Sequence, residues 1–213
     1  MSVAEITDAR DPRTRGAAIA RAAQILARGG VIAYPTETFY GFGAGAMSAD
    51  AVARVFALKG RLPNNPMPLI LPNSAALDRV ACAIPPAARA LAARFWPGPL
   101  TLVLQAARDL PEAITAGTGK VGVRVSSHPV AAALATAFGG PITATSANRS
   151  GAPPARSIEA LDASIAGGTD LLLDGGETPG GPASTVLDVT CDPPRVLRAG
   201  RVSESEIRAA LGG

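Results

Sequence analysis

Apolar and polar positions follow two rhythms along this chain, and the switches between them mark out its elements. From Thr14 to Arg28, Ile19, Ala22, Ala23 and Leu26 recur at helical spacing and Gly29-Gly30 ends the run, which predicts a helix. Val31-Ile32-Ala33-Tyr34 reads as a short buried strand closed by Pro35. Ser48 offers an N-cap for a helix through Val52, Val55, Phe56 and Leu58, and Gly60 stands just past its end. Leu69 to Leu71 suits a strand, and Ser74 to Ala93 suits one or two helices broken at Pro85-Pro86. The run LTLVLQ at 100–105 is a strong strand. Val121, Val123 and Val125 alternate with Gly122 and Arg124, so Arg124 is expected on the face opposite the valines. Then come an Ala-rich helix from Pro129 to Phe138, a strand from Pro141 to Thr145 and a helix from Ser157 to Ile165. Strands at Leu171–Asp174, Thr185–Val189 and Arg195–Arg198 follow, and a capping box, Ser203 to Glu206, opens a last helix. No repeat or long linker interrupts the order. It predicts one α/β domain over residues 1–213, built on a mostly buried, mixed and twisted open sheet flanked by helices.

Composition narrows the chemistry. With 47% hydrophobic and 17% charged residues among 213, the chain is a folded globular protein rather than a disordered one. A net charge of +3 permits an anionic partner without demanding one. Of the 20 Lys and Arg residues only Lys59 and Lys120 are Lys, and His128 is the sole His. A His-rich metal centre and a Lys-rich nucleic-acid patch are thereby excluded. Cys82 and Cys191 have no CxxC spacing, which excludes a disulfide framework or zinc finger; both are expected as buried apolar residues in a reducing cytosol. The N-terminus lacks an apolar targeting core, and no apolar run reaches the ~18 residues of a membrane span. The expectation is a cytoplasmic protein with no membrane partner.

Two glycine patterns invite a dinucleotide reading and fail it. Gly41-Phe42-Gly43-Ala44-Gly45-Ala46 fits GxGxxA, but the region about 20 residues on holds Arg61, Leu62 and Pro63 rather than an acidic ribose ligand. Gly117-Thr118-Gly119-Lys120-Val121-Gly122 runs into a strand, so no helix N-terminus receives a pyrophosphate. There is no GxxxxGK[ST] and no GxSxG elbow beside His128, which reads as a helix-entry contact. Trp96, in FWPGP, reads as filling at a rigid corner.

What survives is a scattered set of polar segments at strand ends and loops, where α/β folds place their sites. PTETFYG (35–41) follows a buried strand. Lys59-Gly60-Arg61 closes a helix, where two cations either grip a polyanion or offset the helix dipole. TATSANRSG (143–151) runs from a strand into a polar loop whose Ser and Asn suit either a nucleotide or local turns. GGPAST (180–185) precedes a strand, and Arg198 sits near a strand end as a phosphate ligand or a solvated edge charge.

Together these segments resemble the YrdC family of L-threonylcarbamoyladenylate synthases, from about residue 17 to 201. The signature Lys-x-Arg with a distant Ser-x-Asn stands here as Lys59, Arg61, Ser146 and Asn148. The segments GGVIAYPTETFYGFGA, FWPGPLTLVL, VGVRVSSHP and GGPASTVLDV accompany it. The resemblance implies a YrdC-like fold with a positively charged central cavity. It also implies the conversion of L-threonine, bicarbonate and ATP to threonylcarbamoyl-AMP and pyrophosphate, for tRNA threonylcarbamoyladenosine modification. Lys59 and Arg61 would serve as catalytic residues on the ATP phosphates. Asn65, Lys120, Ser146, Asn148 and Arg198 would contact the nucleotide. Arg124 would clamp the threonine carboxylate, with Thr38 and Ser184 completing the amino-acid pocket. Mg²⁺ would arrive with ATP and needs no protein metal site. The implied partners are tRNA or double-stranded RNA and the proteins that transfer the product to tRNA. Many relatives carry Pro where Leu62 stands, and some carry His at about Ile70. A non-catalytic RNA-binding protein and a carbamoyl-transferring paralogue are the alternative functions.

Overall fold

A computed structural model describes residues 4–60 and 65–212. Strand β1 (Glu5–Asp8) leads into α1 (Arg15–Ala27), whose Ala18, Ala22, Ile25 and Leu26 turn inward and whose exit is closed by Gly29 at φ +78°. Strand β2 (Ile32–Pro35) folds back on β3 (Tyr40–Gly43). The Ser48 hydroxyl accepts from the Ala51 amide at 3.3 Å and caps α2 (Ala49–Lys59), which stops on Gly60 at φ +58°. Then come β4 (Leu69–Ile70), a 3₁₀ turn (Ser74–Arg79), β5 (Ala81–Cys82), α3 (Pro86–Phe95), β6 (Leu100–Ala106), α4 (Glu112–Thr115) and β7 (Lys120–Arg124). The chain continues through α5 (Pro129–Phe138), β8 (Ile142–Thr143), β9 (Thr145–Ser146), α6 (Ala163–Ala166), β10 (Leu171–Asp174), β11 (Thr185–Asp188), β12 (Arg195–Arg198) and α7 (Glu204–Ala210).

The strands form two mixed sheets instead of one. The first runs β1-β10-β2-β3-β9, parallel as far as β2 and antiparallel beyond it. The second runs β12-β11-β6-β7-β4-β8 with β5 beside β6, and is parallel only at β11/β6 and β4/β7. The cause lies in the segment expected as one strand from Pro141 to Thr145. Its first half, β8, pairs with β4, and its second half, β9, pairs with β3. Between them the Ala144 amide donates to the Pro68 carbonyl at 2.8 Å, so this N–H keeps a partner where the chain changes sheets. The Tyr34 hydroxyl, donating to the Thr143 carbonyl at 2.9 Å, ties the sheets at the same point.

Other departures have local causes. The helix expected from Ser157 to Ile165 shrinks to the single turn α6, because the Asp162 carboxylate accepts from the Ser164 amide at 2.8 Å and starts the helix late. Strand β3 was hidden by its glycines. A Cβ on Gly41 would sit 3.2 Å from the Thr145 carbonyl, and one on Gly43 would sit 3.0 Å from Ile32, so these glycines serve strand packing. Cys82 and Cys191 are exposed rather than buried, one on the short β5 and the other in the turn after β11. The Trp96 indole donates to the Leu100 carbonyl at 2.7 Å and packs on the core, and His128 Nδ1 accepts from the Val130 amide at 3.3 Å at the start of α5. No helix among the described residues is long and apolar enough to cross a membrane.

Two apolar clusters hold the layers together. The Ala-rich faces of α1 and α5 pack with Ile32, Tyr34 and Leu173 in one. The other joins α2 and α3 to the inner faces of β6, β7 and β11.

Candidate active site

Strands β11, β6 and β7 lie side by side, and their alternation gives one face to the core and the other to a cavity of about 800 Å³. Leu100, Leu102, Leu104, Val121, Val123 and Leu187 fill the core. The opposite face presents Thr101 and Val103, then Lys120, Gly122 and Arg124, then Ser184, Val186 and Asp188. Arg124 is thus opposite its valines, as the alternation requires. A Cβ on Gly122 would meet Thr101 at 3.3 Å, so glycine keeps the middle of this floor low.

The walls come from other parts of the chain. Between β2 and β3 the Thr36 hydroxyl donates to the Phe39 carbonyl at 2.7 Å, and the Thr38 carbonyl accepts from the Thr178 hydroxyl at 2.8 Å and the Gly180 amide at 3.0 Å. This pins Thr38 at the rim. Opposite, the end of α2 meets the loop after β9. The Lys59 ammonium donates to the Ser146 carbonyl at 2.5 Å and the Asn148 carbonyl at 3.1 Å, and lies 3.4 Å from Asn148 Oδ1. The Ser150 amide returns a bond to the Lys59 carbonyl at 2.8 Å. Lys59 also lies over the Phe42 ring, 5.8 Å from its centroid. The two halves of the Lys-x-Arg and Ser-x-Asn signature are therefore joined by hydrogen bonds across 87 residues of sequence.

Among the described lining residues are four cations, Lys59, Lys120, Arg124 and Arg198, against two carboxylates, Glu37 and Asp188. The described lining thus carries more cationic than anionic side chains. Arg124 Nη1 donates to both Glu37 oxygens at 2.8 Å, and Glu37 Oε1 also accepts from the Ser126 hydroxyl at 2.8 Å and the Ser127 amide at 2.7 Å. Burial pushes the Glu37 carboxyl up, but the Arg124 charge and these bonds overcome it and hold it at about 2. Lys120 Nζ meets Asp188 Oδ2 at 3.0 Å, while Asp188 Oδ1 accepts from the Thr190 amide and hydroxyl at 2.9 and 2.6 Å. Burial again opposes ionisation of Asp188, and Thr190 and Lys120 together outweigh it and lower the carboxyl. Arg198 places Nη2 and Nε 2.8 and 3.3 Å from the Ser184 carbonyl, and the Ser184 hydroxyl shares a 2.9 Å bond with Thr101. Burial, and then the like charge of Arg124, lower the Arg198 pKa.

Thr38, Lys59, Lys120, Arg124, Ser146, Asn148, Ser184 and Arg198 all line this one cavity. Asn65 is exposed just before the lining residue Pro66, and Arg61 and Leu62 lie outside the described residues. Ile70 is fully buried in the core with α1 and α5. Sequence reasoning gave no role to Glu37, Thr101 or Asp188. Thr101 was signalled by a polar residue inside an apolar strand, and Asp188 by an acid at a strand end. Glu37 lay within the PTETFYG segment, but its pairing with Arg124 had no signal, since that partner lies 87 residues away.

The match to known proteins runs over most of the chain. Residues 24–200 fit the Sua5/YciO/YrdC family, described as "Telomere recombination". The threonylcarbamoyl-AMP synthase of Pyrococcus abyssi is 42% identical over 191 residues, 90% of this chain and 56% of that protein. The threonylcarbamoyl-AMP synthase of Halorhodospira halophila is 42% identical over 164 residues, 77% of this chain and 86% of that relative. The crystal structure of P. abyssi Sua5 complexed with L-threonine matches with a TM-score of 0.88 at 39% identity, over 99% of this chain and 61% of that one. The chain therefore spans less than two thirds of the Pyrococcus protein. The family model, the fold and the overall identity agree, and the chain belongs to the Sua5/YciO/YrdC family.

Proposed function

We propose that this chain is a threonylcarbamoyl-AMP synthase, a nucleotidyl-transferring enzyme acting on L-threonine, bicarbonate and ATP. One observation carries the reading. A guanidinium fixed in the cavity floor, Arg124, faces the same space as the joined Lys59 and Ser146–Asn148 elements, in a chain 42% identical to a named synthase. A cavity of about 800 Å³ is in the range of small-molecule sites.

The chemistry needs no protein nucleophile. The threonine amine and bicarbonate condense to a carbamate and water. A carbamate oxygen then attacks the ATP α-phosphorus, and the bond to pyrophosphate breaks. Catalysis is then positioning and charge stabilisation. Arg124 takes the threonine carboxylate as a bidentate partner, with Thr38 and Ser184 offering hydroxyls to the rest of the amino acid. Lys59 and Arg61 serve the phosphates, a phosphate joining or displacing the carbonyls that Lys59 now holds. Asn65, Lys120, Ser146, Asn148 and Arg198 serve the nucleotide. Mg²⁺ enters with ATP on phosphate oxygens and water; among the described residues no cluster of three or more His, Cys, Asp or Glu offers a protein metal site. The product is used, with partner proteins in the cytoplasm, to modify tRNA.

Pyrophosphate release from ATP should require both threonine and bicarbonate. Turnover that persists without bicarbonate would overturn the reading, as would full activity in Lys59→Ala. Salt-steep tRNA binding with no rise in melting temperature from ATP and threonine would point to the RNA-binding alternative.

A further inference from the structure

Glu37 lines the cavity but has no part in the scheme above. We propose that Glu37 is the positioning residue for the ligand carboxylate at Arg124, and that its charge keeps phosphate off that guanidinium. This rests on the reading of Arg124 as the threonine carboxylate clamp.

The argument is atomic. A guanidinium has two bidentate edges, and the side-on edge consists of Nε and Nη2. Glu37 takes only Nη1, at 2.8 Å to each of its oxygens. Among the described residues nothing accepts from Arg124 Nε or Nη2, and no buried side-chain nitrogen is left without a partner, so this edge opens to the cavity. Arg198 differs: its Nε and Nη2 are turned onto the Ser184 carbonyl. Of the two cavity arginines, Arg124 is the one holding its side-on edge ready.

Glu37 is itself immobilised, since Oε1 also accepts from Ser126 and Ser127. The Arg124 and Glu37 side chains are each only 11% exposed, so the pair cannot swing out to water. Electrically the pair is neutral. A single carboxylate can use the two open N–H groups, whereas a polyphosphate finds no net charge there and gains more at the other cavity cations.

Glu37→Gln tests this with little change of shape. With its oxygen in the Oε1 position the amide keeps the Ser126 and Ser127 bonds, but its NH₂ then faces Arg124 Nη1, donor against donor. Threonine and ATP binding would each be measured by calorimetry, with inorganic pyrophosphate as a competitor. The expected result is a loss of threonine affinity of at least about tenfold with ATP affinity changed less than about threefold, and pyrophosphate competing with threonine only in the variant. Unchanged threonine affinity, or equal losses for threonine and ATP, overturns the inference. A wild-type protein that binds no threonine at all overturns the functional reading first, and this inference with it. If Glu37→Gln fails to fold, Glu37→Asp retains the charge on a shorter arm and is judged by the same ratio of threonine to ATP affinity.

Discussion

Lys120 and Arg124 stand on one face of the same strand, and each meets a carboxylate brought from another element, yet the two pairs are built differently. Arg124 and Glu37 are both 11% exposed, and Glu37 is held by serine donors on its far side. Lys120 is 35% exposed over an Asp188 that is only 4% exposed and is satisfied chiefly by Thr190. Both carboxylates are buried and bonded from behind, so the difference shows that a cation becomes a fixed instrument when it is itself buried with its counter-ion, not merely when it has one. Arg124 is aimed; Lys120 keeps a flexible stem free to follow a ligand.

The largest expected effect breaks the two pairs in parallel. Arg124→Leu strands a buried carboxylate and should destabilise the folded state by about 3 kcal/mol, along with loss of threonine-dependent turnover. Lys120→Leu leaves Asp188 its Thr190 bonds and should cost less than about 1 kcal/mol. Equal losses in a denaturant titration would erase the distinction.

A middle-sized effect is in the acid limb of stability. Glu37 ionises at about 2 in the folded chain against an ordinary value of 4.5. Its contribution is therefore present above about pH 4.5 and is lost as pH falls towards 2. Glu37→Gln should flatten that limb of the stability curve; the same slope in variant and wild type would mean that the pair is not ionised as drawn.

The smallest effect is the most local. His128 is the sole His, and burial lowers its pKa, with Glu37 raising it and Arg124 lowering it. In a proton NMR titration Glu37→Gln should move its midpoint down, Arg124→Leu should move it up, and Lys120→Leu should leave it in place. A response to Lys120 instead would show the pairs to be coupled.

Much of this cavity could be read in advance because its floor is made of strands. Period-two alternation assigned Arg124 to the face away from Val121, Val123 and Val125, and the same rule places Thr101 and Lys120 there. The Ser48 cap and the Gly60 stop located Lys59 at a helix end from sequence alone. Strand β3 escaped because a glycine reads as a turn, while here Gly41 and Gly43 let backbone and neighbouring side chains approach within 3.0–3.2 Å of where a Cβ would be. The single expected sheet became two because Ala144 marks a change of partner, from β4 to β3, that periodicity does not encode.

The sequence by itself determined the order of elements, the α/β class, the resemblance carried by Lys59, Arg61, Ser146 and Asn148, and which side of β7 holds its cations. These are consequences of local periodicity, capping and motif spacing. Tertiary structure alone decided that Lys59 donates to the Ser146 and Asn148 carbonyls and that Glu37 backs Arg124. Such pairings join residues 87 or more positions apart, and a carboxylate's choice of partner depends on distance and burial in the folded chain, which no local pattern carries.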